Sequence, residues 1–159
     1  MQTDVDTVTE VEQSQEAGLA AFLFGDSCFQ KSLTPGQIQQ LSPSALAYLG
    51  DAVYELFVRC SFLIPPKRIN TYHQQVVSQV RAETQASHLQ VLIPYLTSSE
   101  KDLLKRGRNS VTGRPKRIDP ETYQQATSLE TLVGYLYLTD PHRLIDLFSQ
   151  LDLDPTSKS

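Results

Sequence analysis

Two carboxylates in this chain stand close to helix glycines, and that arrangement is where chemistry is to be sought. Asp51 follows Gly50 in the segment ALAYLGDAVYELFVR, and Glu130 lies one turn before Gly134 in SLETLVGYLYL. A glycine inside a helix costs about 1 kcal/mol relative to alanine, so its presence signals a close backbone approach. Helices that cross at these glycines bring Asp51 and Glu130 together. Two neighbouring carboxylates repel unless a proton or a cation sits between them. All-oxygen ligands suit a hard cation such as Mg²⁺, which keeps several waters and also binds substrate phosphate. Taken singly, each acid is an ordinary solvated charge. Glu55 illustrates the ordinary case, since it stands four residues before Arg59 and reads as an i,i+4 ion pair on a helix surface.

The elements that must position these acids read as helices throughout. Thr34-Pro35, Ser42-Pro43, Asp119-Pro120 and Asp140-Pro141 each place a proline at the first position of a helix, after a residue able to cap it. From Ser42 a helix is expected to run to about Phe62 and to stop before Pro65-Pro66. Its apolar positions Leu46, Leu49, Val53, Leu56, Phe57 and Cys60 define one buried stripe. Residues 70–86 read as a second long helix capped by Asn70, and residues 87–96 continue it or form a short helix interrupted near Pro94. A further helix runs from Ser98 to about Arg108, capped by Ser98 or Ser99, with basic residues in its last turn. Gly107 and Gly113 bracket a loop. The helix from Pro120 to about Leu138 buries Leu129, Leu132, Val133 and Leu136, with Glu130 one step off that stripe. A last helix ends near Leu151. No strand-like alternation persists and no internal repeat is evident, so the fold class is all-α.

Length and composition bound the rest. A chain of 159 residues fits one domain with one sizeable core. No stretch reaches the roughly 18 to 20 apolar residues that span a bilayer. The N-terminus has neither a basic region followed by an apolar run nor the arginines of a transit peptide, which leads us to expect a cytoplasmic protein with no membrane partner. The two cysteines, Cys28 and Cys60, lack the spacing of a zinc site or a disulfide framework; Cys60 is expected to be buried and Cys28 free. The net charge of −4 is unevenly placed. Residues 1–30 hold six acids and no Lys or Arg, whereas the remainder holds 14 Lys and Arg against 12 Asp and Glu. We therefore expect an acidic tail over residues 1–30, a folded domain over 31–153 and a short tail over 154–159. Within the tail, the apolar segment 19–30 could form an extra helix or a docking segment.

The two carboxylate segments resemble a known family. ALAYLGDAVYELFVR resembles the signature helix of the ribonuclease III family, SLETLVGYLYL its second carboxylate helix, and LLKRGRNSVTGRPKR between them the basic loop of its Mini-ribonuclease III subgroup. The likeness covers roughly residues 35–150. It implies a helical endonuclease domain that works as a homodimer and hydrolyses double-stranded RNA with Mg²⁺, Mn²⁺ being able to substitute, and that leaves 5′-phosphates. It implies Asp51 and Glu130 as catalytic residues and metal ligands, and the large-subunit ribosomal RNA precursor as substrate. A ribosomal protein that presents this RNA is a further candidate partner. Where Ala47 and Thr127 stand, larger family members carry a Glu and an Asp, so a thinner ligand shell is expected here. The sequence runs only a few residues past the last expected helix, so a separate double-stranded RNA-binding domain is not expected. RNA contact is then expected from Lys105, Arg106, Arg108, Asn109, Arg114, Lys116 and Arg117, because arginine suits phosphate and an A-form duplex is read mainly by shape, phosphates and 2′-hydroxyls. Lys67, Arg68 and Asn70 offer a second contact. His73 reads as a packed or surface histidine rather than a general base, and Tyr48, Tyr135 and Tyr137 as core or interface residues.

Two other classes of function compete with this reading. One is a catalytically silent helical RNA-binding or scaffold protein, which would have little need of both acids. The other is a helical phosphohydrolase of small nucleotides, against which the absence of a His-rich ligand set counts.

Overall fold

The computed structural model describes residues 33–113 and 115–153. The expected acidic tail with Cys28 and the segment 19–30, the residues 154–159, and Arg114 lie outside the described residues. The described residues form seven α-helices and one 3₁₀ turn: α1 Pro35–Gln40, α2 Pro43–Ser61, α3 Ile69–Val80, α4 Ala82–Leu92, the turn Ile93–Tyr95, α5 Ser98–Asn109, α6 Pro120–Thr139 and α7 Pro141–Phe148. No strand occurs among them. None of these helices is long and apolar enough to cross a membrane.

Capping chemistry sets most of the helix starts. Thr34, Ser42, Asp119 and Asp140 each accept a backbone N–H of the first turn through the side chain, and each is followed by proline. At α5 the cap is Thr97 rather than Ser98 or Ser99: Thr97 and Glu100 form a reciprocal capping box, which satisfies two otherwise orphaned N–H groups. Asn70 is not a cap either. α3 begins at Ile69 without a side-chain cap. The expected long helix 70–86 is in fact two helices, because Arg81 adopts an extended conformation (φ −68°, ψ 152°) between α3 and α4. No proline or glycine marks that break, so helical periodicity ran through it.

α6 is the central element. Its residues Ala126, Ser128, Leu129, Thr131, Leu132, Val133, Gly134 and Leu136 are buried, and a helix buried on most of its faces must be surrounded by others. α2, α4, α5 and α7 all pack against it. The core joins Leu46, Val53, Tyr54 and Val58 of α2 to Leu129, Leu132, Val133 and Leu136 of α6 and to Leu144, Leu147 and Phe148 of α7. Phe57 stacks on Phe148 with ring centroids 4.1 Å apart. The buried face of α2 is therefore rotated relative to the expected stripe: Tyr54 and Val58 are fully buried, while Leu56 is exposed and Cys60 is an exposed free thiol. Tyr48 is likewise 86% exposed and not a core residue.

Three glycines let α6 come this close. A Cβ built on Gly50 would lie 1.8 Å from the carbonyl oxygen of Glu130, and one on Gly134 would lie 2.0 Å from that of Leu46. α2 and α6 thus cross with backbone against backbone. Gly107, expected to open a loop, is instead a buried residue inside α5, where a Cβ would meet the Thr131 hydroxyl oxygen at 2.6 Å and the Thr131 Cβ at 2.9 Å. At the other end of α5, Arg143 of α7 holds Glu100 through its Nε at 2.9 Å and a terminal nitrogen at 3.0 Å.

A methyl group at Gly50 or Gly134 would meet a backbone carbonyl that no rotamer change can move. Gly50→Ala and Gly134→Ala are each expected to lower stability by at least about 3 kcal/mol, beyond the usual cost of an added methylene in a packed core. Gly36→Ala, with nothing within 4 Å of its Cβ, should change stability by less than about 1 kcal/mol. Urea denaturation of the three variants checks the contrast.

Candidate active site

The α2–α6 crossing places the two acids of interest side by side. Glu130 offers its backbone carbonyl to Gly50, so its side chain leaves the helix next to the residue that follows Gly50, which is Asp51. Both acids line one cleft of about 270 Å³, together with Ser44, Ala47 and Tyr48 of α2, Tyr123 and Thr127 of α6, and Ser110–Gly113 of the loop after α5. Ala47 and Thr127, the two positions expected to thin the ligand shell, are thus on the wall of this cleft. Their small side chains leave Asp51 and Glu130 as its carboxylates.

The electrostatics follow from depth and proximity. Glu130 is pushed up to about 7 from its ordinary 4.5, first by burial and then by the negative charge of Asp51. A hydrogen bond from the Gln85 side chain offsets part of that rise. Asp51, more open to solvent, is also raised, by burial and then by the charge of Glu55 one turn on. Glu55 itself makes the expected ion pair with Arg59. Among the described residues no group of three or more His, Cys, Asp or Glu converges to hold a metal. The pair Asp51–Glu130 nevertheless fits a hydrated Mg²⁺, which commonly takes one or two carboxylates and completes its shell with waters and substrate phosphate. These two residues would hold it.

Behind the pair lies a buried polar group of residues that spacing alone did not single out. Gln85 is 1% exposed and Tyr54 is fully buried. The Tyr54 hydroxyl pairs with His88 Nδ1 and lies 3.2 Å from the Gln79 carbonyl. Burial raises the Tyr54 phenol, with the Glu130 charge adding to it, and burial lowers the His88 imidazole. A signal was available in the sequence: Gln85 sits four residues before Leu89, on the face of α4 that also carries Ala86 and Leu92. A glutamine on an apolar face needs a partner. His73, by contrast, is exposed on α3.

The basic residues take two positions. Lys105, Arg106, Arg108 and Asn109 are exposed on the last turns of α5, and Lys116 and Arg117 are exposed in the loop that follows. Lys105 pairs with Asp102 at 3.2 Å. The cleft itself is walled by the uncharged stretch Ser110–Gly113 between these two groups. Lys67 is committed elsewhere: its ammonium donates to the Phe62 carbonyl at the end of α2 and lies 5.8 Å from the centroid of the Tyr72 ring.

Comparison with known proteins bears directly on this cleft. The model of the Ribonuclease III domain matches residues 44–141, a range that includes both carboxylate helices and the basic loop. Mini-ribonuclease 3 of Synechocystis sp. is 54% identical over 128 residues, covering 79% of this chain and 90% of that protein. Mini-ribonuclease 3 of Desulfitobacterium hafniense is 42% identical over 120 residues, covering 74% of this chain and 76% of that protein. The crystal structure of a Fusobacterium nucleatum protein matches with a TM-score of 0.62 at 30% identity, covering 70% of this chain and 95% of that one. A helical fold of this kind, matched by the family model over both carboxylate helices and by relatives of this identity over most of the chain, leaves one conclusion: the chain belongs to the ribonuclease III family, in its Mini-ribonuclease 3 group, and is an endoribonuclease.

Proposed function

We propose that this endoribonuclease cuts double-stranded RNA in a reaction that depends on a divalent cation, Mg²⁺ with Mn²⁺ able to substitute, held by Asp51 and Glu130. The observation that carries the reading is the convergence of these two acids in an open cleft, each with its carboxyl raised by burial and by a neighbouring negative charge. Glu130 is half-buried beside an exposed Asp51, the described residues that line the cleft include no Lys or Arg, and a divalent cation supplies the compensating charge. When bound, the cation neutralises charge on the phosphate and activates water.

The chain's own groups do the rest. Asp51 and Glu130 fix the cation on two helices locked by their glycines. Lys105, Arg106, Arg108, Asn109, Lys116 and Arg117, with Arg114 between them in sequence, hold the RNA backbone beside the cleft. The Ser110–Gly113 wall admits a phosphodiester without adding a competing charge. In-line attack then yields a 5′-phosphate and a 3′-hydroxyl. A twofold homodimer would present two such clefts, one for each antiparallel strand. The precursor of large-subunit ribosomal RNA is the proposed substrate, with a ribosomal protein as a presenting partner, in the cytoplasm.

Cleavage of a long duplex RNA by the wild type should require Mg²⁺. Glu130→Gln should lose at least about 100-fold in rate, the scale at which removing a charge-stabilising group slows an enzyme. Cleavage by a well-folded Glu130→Gln protein at the wild-type rate would end the assignment. Replacing Lys116 and Arg117 together by alanine should weaken duplex binding whatever its sequence and flatten the dependence of log affinity on log salt by about 1 to 2. A salt titration of binding reads this directly.

The raised carboxyl of Glu130 also makes a pH prediction. The folded protein binds this proton up to about pH 7, whereas the unfolded chain releases it near 4.5, so the group's contribution to stability falls as pH rises through that window. In EDTA, Glu130→Gln should therefore raise Tm more at pH 8 than at pH 5. Adding Mg²⁺ at pH 8 should raise the Tm of the wild type and not that of the variant. Thermal melts at the two pH values, with and without the cation, check both.

A further inference from the structure

The five serine and threonine hydroxyls of α6 do not all behave alike. Thr122 pairs with the Asp119 carboxylate at 3.3 Å. Ser128 donates to the Gln124 carbonyl at 2.8 Å and to the Leu104 carbonyl at 3.1 Å. Thr131 donates to the Thr127 carbonyl and Thr139 to the Tyr135 carbonyl, each at 2.8 Å. Turning back onto the carbonyl one turn earlier is the ordinary habit of such a side chain inside a helix. Thr127 departs from it. The Tyr123 carbonyl stands one turn before Thr127, yet the Thr127 hydroxyl makes no hydrogen bond with any described residue. Of the five, Thr127 is also the one that lines the cleft.

The surroundings narrow what this hydroxyl meets. The described residues that line the cleft include no Lys or Arg, and its two carboxylates repel an anionic oxygen that arrives without a cation. Ser44 and Thr112 line the same cleft, and their hydroxyls likewise make no hydrogen bond with a described residue. A hydroxyl both donates and accepts, so it is best matched by a neutral group that does the same. On the backbone of an RNA strand that group is the ribose 2′-hydroxyl, the feature by which a protein tells RNA from DNA. Position points the same way. Thr127 stands three residues before Glu130 on α6, which puts the two side chains on one face with Cβ atoms about 5–6 Å apart. In a strand cut beside Glu130, the 2′-hydroxyl sits on the carbon next to the one that bears the departing 3′-oxygen. The ribose of the cut nucleotide is therefore the part of the substrate within reach of Thr127.

We propose that Thr127 is a specificity residue of the cleavage reaction: its hydroxyl hydrogen-bonds the ribose 2′-hydroxyl beside the cut phosphodiester and so favours RNA over DNA in that strand. The assignment rests on the reading of Asp51 and Glu130 as the place of cleavage. A single neutral hydrogen bond of this kind contributes about 3- to 10-fold in kcat/KM. Thr127→Val keeps the branched shape and removes the hydroxyl, whereas Thr127→Ser keeps the hydroxyl and removes the methyl group.

The test uses the full chain with MgCl₂ and a duplex RNA whose cut site has been mapped with the wild type. The probes are copies of that duplex, each with one 2′-deoxynucleotide at a position flanking the cut. The wild type should lose about 3- to 10-fold in kcat/KM on the copy that lacks the 2′-hydroxyl beside the cut. Thr127→Val should lose the same factor on the all-ribose duplex and nothing further on that copy, while Thr127→Ser should discriminate as the wild type does. Such non-additivity marks two groups that touch. Melting curves check that each variant is folded, and Thr127→Ala takes the place of the valine variant if that one is not. Additive losses, with Thr127→Val slowing both duplexes by the same factor and still discriminating between them, would show a role in packing or in holding the cation's waters and would overturn the assignment. A wild type indifferent to every deoxy substitution would overturn it too. If Glu130→Gln cuts at the wild-type rate, the place of cleavage lies elsewhere and Thr127 falls with it. If Glu130→Gln is inactive and the losses are additive, Thr127 alone is removed.

Discussion

The contact between the backbones of α2 and α6 is the constraint on which the rest of this structure depends. Gly50 admits the Glu130 carbonyl, and Gly134 admits that of Leu46, at distances that leave no room for even a methyl group. Two helices with ordinary side chains at the crossing would be held further apart. Their acids would then be two separate surface charges, each solvated and each unremarkable. The same crossing puts the Leu46, Val53, Tyr54 and Val58 face of α2 on the Leu129, Leu132, Val133 and Leu136 face of α6. Core packing and the pairing of acids are therefore one event. Gly107 extends the principle by seating α5 against Thr131, which brings the basic end of that helix and the loop after it to the edge of the cleft.

Proximity on such a rigid frame has an electrostatic consequence. Flexible carboxylates would turn away from each other into water, where their repulsion is weak. Glu130 leaves a helix whose backbone is pinned, and much of its side chain is out of water, so burial and the charge of Asp51 both act on it. The energy stored in this way belongs to the folded protein without a cation. In the proposed function, cation binding releases it. In the same proposal the absence of acids at Ala47 and Thr127 matters too, since a hydrated cation on two carboxylates would keep coordination positions for water and phosphate.

The outer face of the cleft follows a different logic. The lysines and arginines near it are exposed, and exposed charges act through long-range attraction more than through fixed contacts. Their location matters more than their geometry: the last turns of α5 and the following loop, on both sides of the uncharged wall Ser110–Gly113. Basic residues at a helix C-terminus also complement its dipole, so this placement serves the stability of α5 as well as the proposed attraction of RNA. A chain with net charge −4 can in this way present a locally basic edge.

Much of this was legible in the linear sequence where the physics is local. A capping side chain followed by proline fixes a helix start within three residues, and four of the helices begin where Thr34, Ser42, Asp119 and Asp140 say they should. The all-α class, the glycine crossing and the two acids beside it were likewise readable, because a glycine kept inside a helix calls for a close neighbour. The family resemblance rested on those same segments. What periodicity could not decide was rotation and interruption. Leu56 and Cys60 satisfy a helical stripe as well as Tyr54 and Val58 do, and only the position of α6 and α7 chooses which side of α2 is buried. The break at Arg81 has no proline or glycine to announce it, since packing of α3 on α2 and of α4 on α6 sets the two directions. Gln85, His88 and Tyr54 lie on two helices far apart in sequence, and their polar atoms acquire a role only once those helices meet. The sequence by itself determined the helices, their starts and the acids available for chemistry, because each depends on residues within a few positions of one another. Only the tertiary structure decided which faces are buried and what stands behind Glu130, because burial and hydrogen bonding across helices are properties of the assembled fold.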